Sequence, residues 1–151
     1  MKKFRFRLER VLNYREQVEK QKQIALTEVH RLVVDHQQKL LDAYAVLEHA
    51  RDDLRRAEGV GEIDVQTVRD SRVYIGTLKR RIAEVLKRLR KLEIELEQKR
   101  DEAVQARKER KVLELVKTRR AAEHRKETGR VEQAELDDIA TKNEVLKRTA
   151  S

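Results

Sequence analysis

The chain has 151 residues, of which 43% are charged and only 3% aromatic, and it contains no Cys, Pro or Trp. Charge at this density, against roughly 25% in an ordinary globular domain, argues against a compact enzyme core. Regularly spaced Leu and Val without Pro argue against disorder, and the composition is that of long helices paired as a coiled coil. The formal net charge of +9 favours an acidic partner, whether protein, nucleic acid or an anionic membrane face.

The N-terminus is basic: Lys2, Lys3, Arg5, Arg7 and Arg10 stand against the single acid Glu9, with Phe4 and Phe6 alternating between the cations. No apolar stretch follows, so the segment does not read as a signal peptide, and no apolar run approaches the ~20 residues of a membrane span. Absence of Cys rules out a disulfide framework and thiolate chemistry and suits a reducing compartment; the expectation is a cytoplasmic chain. Phe4 and Phe6 have two readings, a hydrophobic staple on the helix start or anchors for a partner's pocket.

A first helix is expected over about 5–58. Val11, Arg15, Val18, Lys22, Ala25, Val29, Leu32 and His36 follow alternating steps of four and three, and Leu40, Ala43, Leu47, Ala50, Leu54 and Ala57 continue them. Two successive steps of four around His36 predict a stutter that locally unwinds the supercoil. Gly59 and Gly61 mark a turn at about 59–63, followed by Asp64 as a candidate N-cap. A second helix is expected over about 64–147. Its seam runs from Val68 and Ser71 through Ile75, Leu78, Ile82, Val85, Leu89, Leu92 and Leu96 to Lys99, Ala103, Ala106, Arg110 and Leu113.

The fold class expected is therefore all-α, a single domain forming a long antiparallel two-helix coiled-coil hairpin. Folding about Gly61 sets Leu8 level with about Glu114, so residues beyond 114 are expected to lack a partner within the chain. That overhang carries ten basic residues against four acids over 107–130, then five acids against three bases after Val131. Gly129 is expected to fray or bend the helix end after about residue 127.

No catalytic constellation is present. There is no Gly-rich phosphate loop, and His30, His36, His49 and His124 lack partners at ligand spacing. Asp52-Asp53 and Asp137-Asp138 diverge on a helix because they are adjacent in sequence. The reading is a non-enzyme with no cofactor and no metal. Nucleic-acid binding is disfavoured because acids interleave with bases, as in Glu93-Ile94-Glu95-Leu96-Glu97. Apolar residues outside the seam point instead to protein partners. Gln37, Leu41, Tyr44 and Glu48 form a stripe one residue ahead of the seam, and folding about Gly61 is expected to bring Tyr74 and Leu78 to its height as one side patch.

Two terminal motifs carry a resemblance. Phe4-Arg5-Phe6-Arg7-Leu8-Glu9-Arg10-Val11-Leu12-Asn13-Tyr14-Arg15 and Arg130-Val131-Glu132-Gln133-Ala134-Glu135-Leu136-Asp137-Asp138-Ile139-Ala140 resemble the opening and closing motifs of the flagellar export protein FliJ family, with Asp138 where Glu is common. The resemblance implies a rod similar to the gamma stalk of rotary ATPases. Its free ends would enter the pore of the hexameric export ATPase FliI and promote ring formation and hydrolysis. Phe4, Phe6, Arg7, Leu8, Arg15, Arg130, Gln133, Leu136 and Asp137 would make those contacts. The rod's side would meet the export gate protein FlhA through Gln37, Leu41, Tyr44, Tyr74 and Leu78, and export chaperones would be further partners. Glu48, Arg81 and Val85 depart from the family's gate pattern. The resemblance implies a place at the cytoplasmic face of the inner membrane without insertion into it. Alternatives are a nucleic-acid-binding or scaffolding coiled coil, or the stalk of another rotary or export ATPase.

Overall fold

The computed structural model describes residues 2–59 and 61–151. Two helices hold nearly all of them, α1 at Glu9–Gly59 and α2 at Val65–Thr149, and no strand occurs among the described residues. The chain is all-α, an antiparallel helical hairpin. Its residues group into two compact units, 20–104 and 2–19 with 105–151, and both helices contribute to each.

In the unit of residues 20–104, Gly59 is the last residue of α1 and residues 61–64 are not helical; Val60, within the expected turn, lies outside the described residues. Asp64 caps α2. Its carboxylate accepts hydrogen bonds from the Gln66 amide at 3.0 Å and the Thr67 hydroxyl at 2.7 Å, satisfying a helix-end donor that has no intrahelical partner. These bonds, the Thr67 bond foremost, hold the Asp64 carboxyl below its usual range.

Two apolar clusters close the seam of this unit. Val29 and Val33 of α1 meet Leu89, Leu92 and Leu96 of α2, and Leu47 and Ala50 meet Ile75, Leu78 and Ile82. Each fully buried aliphatic side chain contributes about 1.5–3 kcal/mol relative to exposure. Leu92 is the most enclosed, with 1% of its surface accessible.

The α2 seam is the one its spacing predicts, whereas the α1 seam differs in one respect. Buried or half-buried positions are Val29, Val33, His36, Leu40, Ala43, Leu47 and Ala50, in strictly alternating steps of four and three. Leu32 is exposed and Val33 takes its place, so the expected stutter at His36 does not exist. Leu32-Val33-Val34 offers three candidates for one seam position. The choice falls on Val33 because it belongs to Leu26, Val33, Leu40, Leu47 and Leu54, five aliphatics seven residues apart. The frame through Leu32 would instead set Ala25 and Lys39 into the seam.

In the unit of residues 2–19 and 105–151 the same frame buries Leu12 and leaves Val11 exposed. Helix α1 starts at Glu9, four residues beyond the expected start, with the Glu9 amide donating to the Phe6 carbonyl at 3.2 Å. Residues 2–6 are not helical. The alternation of Phe4 and Phe6 explains this: a period of two places both rings on one side of an extended strand, whereas on a helix they would diverge.

An extended segment rises about 3.3 Å per residue against 1.5 Å in a helix, so a few residues cover many of α2. Phe6 and Glu9 lie beside Lys117, the Phe4 ring stands 5.6 Å from the His124 ring, and Lys2 faces residues 124–135. The expectation that α2 lacks a partner beyond 114 is thereby corrected. Cover ends near Glu132, and residues 133–151 are all exposed. Helix α2 nevertheless runs through Gly129 to Thr149, because the ~1 kcal/mol cost of one glycine is spread over helix-forming residues on both sides.

Candidate partner-binding surfaces

Both terminal motifs belong to the unit of residues 2–19 and 105–151. Phe6 is buried at 8% exposure, Phe4 and Leu8 are half-buried, and Arg7 is exposed. Phe6 is therefore a staple of the chain's own fold, while the Phe4 ring keeps an accessible edge. Arg15 pairs with Glu109 across the seam, which gives it a structural partner. Arg130, Gln133, Leu136 and Asp137 are exposed on α2, and the Gln133 amide donates to Asp137 at 3.0 Å. Beside Phe4 a cleft of about 530 Å³ opens between Lys2 and α2, walled by His124, Glu127, Val131, Glu132 and Glu135. Sequence reading missed His124 as part of this wall; its signal was a seam position four residues short of Thr128.

Charge in this unit is sorted between interior and surface. The Arg110 guanidinium lies between Glu19 and Glu114, at 2.7 Å from the latter, and Arg110 and Glu19 each keep 18% side-chain exposure. Hydrogen bonding to Glu19 first, and to Glu114 second, raises the Arg110 pKa. Lys117 pairs with Glu9 at 2.9 Å. Two cations of the dense basic run are thus paired with carboxylates of α1, Arg110 largely enclosed and Lys117 half-exposed. Arg107, Lys108, Lys111, Arg120, Arg125, Lys126 and Arg130 remain exposed on α2.

The side stripe lies in the unit of residues 20–104. Gln37, Leu41 and Tyr44 are exposed on α1, Tyr74 is exposed on α2, and Leu78 is buried in the seam at 6%. The two tyrosines do not form one patch. Tyr44 directly follows the seam residue Ala43, whereas Tyr74 directly precedes the seam residue Ile75. In an antiparallel pair the residues that follow the seam on both helices share one flank, as the ion pair of Glu58 with Arg72 at 3.0 Å shows, and those that precede it share the other.

Tyr44 therefore shares its flank with Leu86, which follows Val85 and packs against the Leu47 cluster. Tyr74 shares the opposite flank with Val46, 45% exposed. Leu86 is the residue that sequence reasoning missed on the Tyr44 side, although its place just after a seam position was the available signal.

No cluster of three or more His, Cys, Asp or Glu able to hold a metal occurs among the described residues, and no described helix is long and apolar enough to cross a membrane. What the surfaces offer is recognition: apolar edges ringed by charge. No curated protein and no solved structure matches the chain. The family model of the flagellar FliJ protein matches residues 4–147.

Proposed function

The chain belongs to the flagellar FliJ family, a non-catalytic component of the flagellar protein export apparatus, and from that premise we propose that it is the stalk of the export ATPase FliI and its link to the gate protein FlhA. The observation that carries the ATPase contact is that the exposed residues of both family motifs lie in one unit, where Phe4 packs on His124. Phe4, Arg7, Arg130, Gln133, Leu136 and Asp137 present the contacting atoms. Phe6, Leu8 and Arg15 hold the N-terminal segment in place beneath them. The exposed cations of α2 complement acidic groups lining a pore, and hydrolysis is promoted by ordering the ring around a preformed surface.

The gate contact is proposed for the Tyr44 flank, with Gln37 and Leu41. Tyr74 lies on the other flank, so either a partner wraps both sides or one tyrosine is dispensable. Leu78 supports this surface from within the seam. The work of the protein is at the cytoplasmic face of the inner membrane, and cycling of export chaperones onto the ATPase belongs to the same reading.

The test is steady-state ATP hydrolysis by the cognate export ATPase titrated with the chain and with Phe4→Ala. Stimulation by the parent chain that is lost in a fully helical Phe4→Ala variant is the expected result. No stimulation by the folded parent chain would remove the stalk reading and leave a scaffold.

A further inference from the structure

Residues 79–91 of α2 read Lys79-Arg80-Arg81-Ile82-Ala83-Glu84-Val85-Leu86-Lys87-Arg88-Leu89-Arg90-Lys91, seven bases against the single acid Glu84. Neither of the proposed partner contacts uses these cations, and all seven are exposed. Ion pairs are common on either side of this belt, as in Arg72 with Glu58 and Arg100 with Glu97. Among the described residues, none of the ion pairs in the unit of residues 20–104 uses a cation of the belt. The packing of Leu47 with Leu78 and of Val33 with Leu92 sets residues 34–46 of α1 at the same height. They add Lys39, Asp35 and Asp42, and Asp42 already accepts from the Gln38 amide at 2.9 Å. The band as a whole thus holds eight bases against three acids, an excess of five within the chain's +9.

Charge of one sign at this density repels itself, and only an anionic partner relieves it. The shape of the face narrows the choice of partner. Val73, Arg80, Lys87 and Ile94 recur every seven residues along the side of α2 away from the seam, with Val73 and Ile94 each 63% exposed. Arg90 and Lys91 border this line, and Glu84 is the one acid on the face. Lys79 stands on one flank of the rod and Arg81 and Arg88 on the other, where their long stems let the charges reach outward to a common plane. A straight, convex face with cations throughout and single aliphatics at its ends matches a planar sheet of anionic headgroups, where basic amphipathic helices lie. A sugar-phosphate backbone offers nothing to the aliphatics, and the line carries no aromatic ring to stack on a base.

We infer that the outer face of α2 over residues 73–94 is a docking surface for anionic lipid headgroups, on which this unit rests without entering the bilayer. At ~1.5 Å per residue the face is about 32 Å long. Each basic side chain held near an anionic leaflet multiplies the partition constant about fivefold. Arg80, Lys87, Arg90 and Lys91 together therefore supply on the order of several hundredfold, which falls as salt screens the surface. The inference concerns the chain alone and stands whether or not the stalk reading does.

Co-sedimentation of the full chain with unilamellar vesicles tests it. Binding is expected to vesicles containing phosphatidylglycerol and not to vesicles of phosphatidylcholine alone, and it should weaken as salt rises. Arg80→Gln combined with Lys87→Gln should lower the partition constant about 25-fold with helix content unchanged. Arg55→Gln combined with Arg56→Gln removes the same charge from the same unit outside the belt, and should leave the constant within about twofold. Because the chain has no Cys, contact can be mapped with single cysteines carrying a polarity-sensitive fluorophore. Emission from Ala83→Cys should shift to the blue on anionic vesicles, and that from Ala45→Cys, exposed on the outer side of α1, should not. Absence of binding to anionic vesicles, equal loss from the two charge pairs, or an equal shift at Ala45→Cys would each overturn the proposal. Binding confined to single-stranded RNA or to polyglutamate would overturn it as well, and would make the belt a nucleic-acid or acidic-protein site.

Discussion

Substitution of Leu12 and of its neighbour Val11 separates the observed seam from the one the spacing suggests. Leu12 is 3% exposed and Val11 41%. Leu12→Ala removes three buried carbons at about 0.8 kcal/mol each, close to 2.4 kcal/mol, near the low end of measured Leu→Ala costs because a two-helix layer relaxes easily. Val11→Ala removes two carbons that are roughly half wet, about 0.8 kcal/mol. It recovers about 0.5 kcal/mol because Ala is the better helix former.

The difference of ~2 kcal/mol is best read by amide hydrogen exchange, since two units need not unfold together. Peptides covering 9–19 and 105–117 should exchange about 30- to 60-fold faster in Leu12→Ala and at most about twofold faster in Val11→Ala, from the factor of ten per 1.4 kcal/mol. Equal acceleration by the two substitutions, or the reverse order, would refute the register and restore a seam through Val11.

Further outcomes follow from the same contacts. Phe6→Ala should destabilise its unit by about 3 kcal/mol and release the N-terminal segment to proteolysis, whereas Phe4→Ala should leave far-UV circular dichroism nearly unchanged. Asp64→Ala should speed exchange of the first amides of α2 and Asp64→Asn should not. Because hydrogen bonds depress the Asp64 pKa, the cap is fully present above the ordinary carboxylate range and is lost as pH falls through its lowered value. Lys22 donates to Glu102 at 3.0 Å and holds that carboxyl below its usual value. Lys22→Met should therefore lower stability slightly at neutral pH and leave it unchanged below the carboxylate range, so that the acid limb flattens. In pull-downs with the gate protein, Tyr44→Ala and Leu86→Ala should weaken binding together, and equal loss from Tyr74→Ala alone would mean that the partner grips the opposite flank.

The α2 seam could be read directly because its aliphatics leave little choice: Ile75, Leu78, Ile82, Leu89, Leu92 and Leu96 form one stripe, and Val73, Leu86 and Ile94 outside it are too scattered to offer a second frame. On α1, Leu32-Val33-Val34 and Val11-Leu12 each supply adjacent aliphatics, so local spacing is satisfied by two frames. Only docking against α2 selects the frame that fills the layer. The helix was expected from about residue 5 and begins at Glu9, because the period of two in Phe4 and Phe6 belongs to extended chain.

Composition, the Gly59–Gly61 break and the two terminal motifs thus determined by themselves the helical hairpin, its turn, the cap at Asp64 and the family, because each is a local or periodic property of the chain. Tertiary structure decided which flank each tyrosine occupies, that Phe6 is buried, and which acids Arg110 and Lys117 meet, Glu19 and Glu9. Those depend on the rotation of one helix against the other. A shift of a single residue turns a side chain by about 100° and moves it from seam to surface.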